Sequence, residues 1–88
     1  MRDYLKEFTD YLTSVKKSSS NTIESYVRDI KAFLSYADIN SLDILILSSD
    51  DLKDYLNSLE KKGKTHATLI RNLASIRCFY EFLIYTDS

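Results

Sequence analysis

The 88-residue chain predicts an all-α fold. Three observations carry that prediction. Proline is absent and glycine occurs once, which removes the turn chemistry that tight hairpins need. Apolar residues recur with the helical period through four segments. The 44% hydrophobic share is enough for one compact core but not for two. A single domain spanning residues 1–88 is therefore expected, with modest stability, because a chain this small buries only about two-thirds of its unfolded surface. Cys78 has no second cysteine to pair with, and Cys78 with the lone His66 makes no metal cluster. An unpaired thiol suits a reducing compartment, so a cytoplasmic location is expected. No apolar run approaches the roughly 18 residues of a membrane span. Arg2, Asp3, Lys6 and Glu7 do not read as a secretory signal.

The first helix is predicted over residues 2–15, where Tyr4, Leu5, Phe8, Tyr11, Leu12 and Val15 form one stripe. The serines at 18–20 end it, since short hydroxyl side chains compete for backbone hydrogen bonds. Ser20 or Asn21 then caps a second helix over residues 22–37, with Asn21 and Glu24 at capping-box spacing. Its inward stripe is Ile23, Tyr26, Val27, Ile30, Phe33, Leu34 and Ala37; its outward face carries Glu24, Ser25, Arg28, Asp29 and Lys31. Residues 38–47 lose the period and are expected to form an ordered loop, with Leu42 and the apolar run 44–47 as a plug over the helices. Ser48 and Asp51 open a third helix with Leu52, Tyr55, Leu56 and Leu59 inward. Gly63 closes it in the left-handed conformation, and Lys61 and Lys62 suit its negative end. Thr65 caps a fourth helix whose stripe is Leu69, Ile70, Leu73, Ile76, Phe79, Tyr80, Leu83 and Ile84.

The formal net charge of -1 does not advertise an acidic ligand, but its distribution is uneven. Residues 1–60 hold seven Lys and Arg against eleven Asp and Glu, whereas residues 61–88 hold five against two. Residues 61–80 contain Lys61, Lys62, Lys64, Arg71 and Arg77 and no carboxylate; residues 11–23 are also acid-free and contain Lys16 and Lys17. If the two windows meet, an acidic chain still presents a positive face.

No catalytic constellation is visible. Asp50, Asp51 and Asp54 open the third helix, where acids stabilise the positive end of the dipole. Cys78 sits at the edge of an apolar stripe and reads as a buried thiol. Tyr4, Tyr26, Tyr55 and Tyr80 have core spacing. The features above this background are two polar helix starts of matching chemistry. One is residues 18–22 with Ser25 and Arg28 on following turns; the other is residues 63–68 with Arg71 a turn further. Unpaired N–H groups and a partial positive charge at such starts suit phosphate oxygens, and exposed Ser25, Thr68 and Arg71 suit base edges. Ordinary capping accounts for the same residues, so composition leaves both readings open.

The segment Asn21-Thr22-Ile23-Glu24-Ser25-Tyr26-Val27-Arg28-Asp29-Ile30 resembles a helix of the tyrosine recombinases of phage integrase and Xer type, which reads N-T-hydrophobic-x-x-Y-x-x-D-L. Residues 48–56 resemble the family's T-x-x-D-L-x-x-Y-L segment, and residues 68–83 its T-I-N-R-R-L-S-A-L-R-x-F-Y-x-F-L helix. Asn72 stands where the second arginine of that helix falls. The blocks agree in order and spacing over about residues 4–85.

The resemblance implies a four-helix orthogonal bundle, the SAM-like core-binding domain that clamps a recombination site. It implies that the catalytic domain, with its arginines and nucleophilic tyrosine, is absent from this chain, so that the chain binds double-stranded DNA without cutting it. Tyr80 and Tyr85 match the binding domain and are not that nucleophile. Carried over by position, the DNA-facing residues are Ser20, Asn21, Thr22, Ser25 and Arg28 from the second helix and Lys64, Thr65, His66, Thr68 and Arg71 from the fourth. Arg77 matches a family arginine whose place suits either DNA or a carboxylate partner. Neighbouring protomers on DNA are the other implied partners; no cofactor, metal, membrane or small-molecule substrate is. A helical protein-interaction module is the alternative function.

Overall fold

The computed structural model describes residues 3–87, with side chains through residue 86. Among the described residues four α-helices follow in order, α1 (Tyr4–Ser14), α2 (Ser20–Ile39), α3 (Ser49–Lys61) and α4 (His66–Asp87), with one 3-10 turn at Ile44–Ile46 before α3. Among the described residues there is no strand. The predicted start of the first helix at Arg2 lies outside the described residues. Within them Asp3 is the N-cap, its carboxylate accepting from the Lys6 N–H at 3.1 Å.

The second helix is longer at both ends than its period predicts. Ser19, not Ser20 or Asn21, is its N-cap, accepting from the Thr22 N–H at 3.3 Å. The first helix closes before the serine run, through Lys17 with its φ of 51° and the Ser18 N–H reaching Leu12 O at 3.0 Å, so the run only starts α2, and the predicted pairing of Asn21 with Glu24 gives way to a cap two residues earlier. At the far end the chain turns through Ser41, whose φ of 56° lies in the left-handed region. The N–H of Ser41 reaches Asp38 O and that of Leu42 reaches Ala37 O at 2.8 Å, the double closure of a Schellman turn. Gly63, with φ 85°, closes α3 in the same way, Lys64 N–H reaching Leu59 O. Ser48 and Asp51, expected to open α3, do so as a capping box.

α4 is the spine. Its 22 residues extend about 33 Å at 1.5 Å per residue, close to the molecule's longest dimension of 35 Å, and the other three helices pack against it. Phe79 and Phe82 are its buried centre, meeting Phe8 edge-on at 5.4 Å and tilted at 5.6 Å respectively. Phe33 and Tyr55 extend the core between α2 and α3, their centroids 5.3 Å apart. Such offset aromatic pairs add to the burial term that holds a chain this short together.

The plug over residues 38–47 is only half realised: Leu42, Ile44 and Leu47 tuck in, but Leu45 and Ile46 are 62% and 80% exposed. The Tyr80 hydroxyl pins the turn by donating to Ile44 O at 2.6 Å. The α4 stripe also departs from its prediction, with Ile70 and Ile84 exposed and Asn72 and Ser75 buried. Cys78 is buried, and burial pushes its thiol pKa up.

Candidate nucleic-acid interface

The face that α2 and α4 present together is set by one buried charge. Asp29, predicted on the outward face of its helix, is 5% exposed. Its carboxylate accepts from Arg71 Nε and Nη2, both at 2.9 Å, and from Ser75 Oγ at 2.9 Å. Asp29 lies three residues after Tyr26 and four before Phe33, on their side of the helix, and that spacing was the signal available in the sequence. At 5% exposure the carboxylate has lost most of its water, and the fork and the third donor replace those hydrogen bonds. The same bond raises the Arg71 pKa, against the opposing effect of desolvation. The carboxylate partner that the sequence offered to Arg77 therefore belongs to Arg71.

Three links order α2 against α4. Lys16, in the turn before α2, pairs with Glu81 at 3.3 Å; Thr22 lines a groove with Ala74, Arg77 and Cys78; Asp29 meets Arg71 and Ser75. The start of α2 therefore lies beside the middle of α4. His66 is about 12 Å further along the α4 axis than Ala74. The two polar starts do not converge on one spot; they occupy two stations along α4.

Of the residues expected to face DNA, several already serve the caps. Thr22 Oγ1 accepts from Ser19 Oγ, while Thr65 Oγ1 accepts from the Thr68 N–H and shares a hydrogen bond with Thr68 Oγ1 at 3.0 Å. Ser20, Asn21, Lys64 and His66 are exposed, Ser25 is half-buried, and none of these side chains is hydrogen-bonded among the described residues. Arg28 is exposed but lines a shallow groove toward α1 with Thr9, Ile23 and Lys31, turned from the groove that holds Thr22.

Among the described residues Arg77 is the cation of the α2–α4 groove without an ion-pair partner. It is exposed and shares the groove, about 330 Å³ in volume, with Lys16, Ser18, Thr22 and Tyr26. Lys16 stands at the mouth with its pKa raised, first by its hydrogen bond to Glu81 and then by that carboxylate's charge. The arrangement is suited to an extended anion lying across two helices, with cations, hydroxyls and helix-start N–H groups along its path. Among the described residues no group of three or more His, Cys, Asp and Glu is placed to hold a metal, and no helix is long and apolar enough to cross a membrane.

The profile of the family described as phage integrase, N-terminal SAM-like domain, matches residues 5–86. The chain belongs to this family, as the helix order and the motifs at the starts of α2, α3 and α4 led one to expect. Its relatives carry the name of tyrosine recombinase. One from Caldanaerobacter subterraneus subsp. tengcongensis is 38% identical over 77 residues, covering 88% of this chain and 27% of the relative. One from Pseudothermotoga lettingae is 34% identical over 89 residues, covering 99% and 31%. A tyrosine recombinase XerC from Leptospira interrogans is 33% identical over 88 residues, covering 99% and 28%. The chain thus spans less than a third of the length of these curated relatives. No solved structure matches it significantly.

Proposed function

We propose that this chain is the non-catalytic, DNA-gripping domain of a tyrosine recombinase, holding the recombination-site duplex through the starts of α2 and α4. The observation that carries the reading is the groove between these helices, where Arg77 has no ion-pair partner among the described residues and Lys16, Ser18 and Thr22 line the same wall. Lys64, His66 and the Thr65 cap stand at the second station, and Ser20, Asn21 and Ser25 flank the first. Arg28 stands at the edge of this surface, as does Arg71, 41% of whose side chain remains exposed. A duplex passing over both stations sets phosphate oxygens against N–H groups and cations, which supplies affinity without sequence preference. Strand cleavage belongs to a catalytic domain outside residues 1–88. This domain works in the cytoplasm, without cofactor or metal, beside neighbouring protomers on the same DNA.

The test is an anisotropy titration of labelled duplex at several salt concentrations. Lys64→Ala and Arg77→Ala are each expected to weaken binding several-fold and to reduce the salt slope by about one. Asp54→Ala, on the exposed face of α3, is expected to leave both unchanged. Binding that ignores salt, or that weakens equally with Asp54→Ala, overturns the reading.

One observation favours a protein partner as well. Leu45 and Ile84, 62% and 71% exposed, line a single shallow cavity with Tyr80 and Leu83. In the recombinase reading this is a contact between protomers. Sedimentation with and without duplex tests it, since self-association that persists without DNA and is lost in Ile84→Asp assigns the patch to the protein alone.

A further inference from the structure

We infer that Ile70 reads the 5-methyl group of thymine in the major groove; this rests on the DNA-gripping function proposed above. Residues 70, 74, 77 and 81 fall at spacings of four, three and four and so share one face of α4. Three of them, Ala74, Arg77 and Glu81, line the α2–α4 groove. Ile70 continues that wall toward the start of the helix, one turn before Ala74. It is 56% exposed and stands outside the core, which α4 reaches through Ile76, Phe79, Phe82 and Leu83. A β-branched residue at such a place lowers helix propensity relative to alanine and leaves more than half of its surface in water in the isolated chain. Covering it against a partner removes it from water.

The partner's chemistry follows from the side chain. Isoleucine has no polar atom, so pressing it on a donor or acceptor of a base edge strips water from that group without replacement. The one apolar group that unmodified base pairs present in the major groove is the thymine methyl. The cation Arg77, two turns on along the same face, holds the helix to the backbone while Ile70 meets the bases. Arg71, adjacent in sequence, is held by Asp29 and does not swing across this position.

The experiment titrates the chain with two mixed-sequence duplex pools of one length, one made with thymine and the other with uracil, which lacks only the methyl. The wild type is expected to bind the thymine pool roughly threefold more tightly, the yield of about one buried methyl. In Ile70→Ala the two affinities are expected to coincide. Ile39→Ala, at an 81% exposed isoleucine on the far end of α2, is expected to keep the difference. Equal wild-type affinities overturn the inference while leaving the DNA-gripping function intact, as does a preference that survives in Ile70→Ala. Failure to bind either pool overturns that function and the inference with it.

Discussion

Asp29 of α2 holds the guanidinium of Arg71 of α4 through two parallel hydrogen bonds of 2.9 Å, and in doing so fixes how the two helices of the candidate interface cross. The carboxylate is buried whereas 41% of the arginine side chain remains exposed, so the consequences of losing either partner are unequal.

Arg71→Ala strands a buried carboxylate that keeps only the Ser75 hydroxyl, and is expected to destabilise the chain by about 2–4 kcal/mol, the lower end reflecting solvent access on the arginine side. Lys64→Ala, at an exposed position, is expected to change stability by less than about 0.5 kcal/mol. Urea denaturation of both variants checks this. A loss of duplex binding in Arg71→Ala is informative only at denaturant-free conditions where the variant is shown to be folded.

Ser41 occupies the left-handed position that closes α2, where Gly63 stands at the end of α3. A side chain there costs about 1–2 kcal/mol, so Ser41→Gly is expected to raise stability by about 0.5–1 kcal/mol after the larger backbone entropy of unfolded glycine is subtracted. A thermal melt that falls instead shows that the serine hydroxyl stabilises the turn.

The Tyr55 hydroxyl is buried without a hydrogen-bond partner among the described residues, and burial first, then the charge of Asp29, pushes its pKa up to about 12. Below its ordinary value of 10.0 the phenol is neutral in both states; above it the unfolded chain ionises first, so stability falls as pH climbs from 10.0 toward about 12. Tyr55→Phe is expected to be neutral or up to about 1 kcal/mol stabilising at pH 7, and to flatten that alkaline loss. Denaturation midpoints on both sides of pH 10 measure it.

Glu81 places a carboxylate against Lys16 at the mouth of the α2–α4 groove. A phosphate entering the groove competes for that ammonium, so Glu81→Gln is expected to tighten duplex binding about two- to fivefold at low salt, with the gain fading as salt rises. A salt-independent gain, or none, shows that Lys16 does not meet the duplex.

Periodicity and cap chemistry alone specified four helices, their order, the Ser48–Asp51 opening and the glycine closure of α3, because each depends on residues within a turn or two of one another. The local blocks were also specific enough to mark the family and to nominate the starts of α2 and α4. What short-range patterning could not supply was the direction in which a charged residue turns. Asp29 looks like surface in a count of apolar positions and becomes interior only because Arg71 and Ser75, more than forty residues away, arrive with three donors. Packing α2 against α4 then decided that Lys16 meets Glu81, that Arg77 has no ion-pair partner among the described residues and that Ile70 faces out. A carboxylate's environment is the sum of charges and donors around it in space, and only the tertiary fold brings those together.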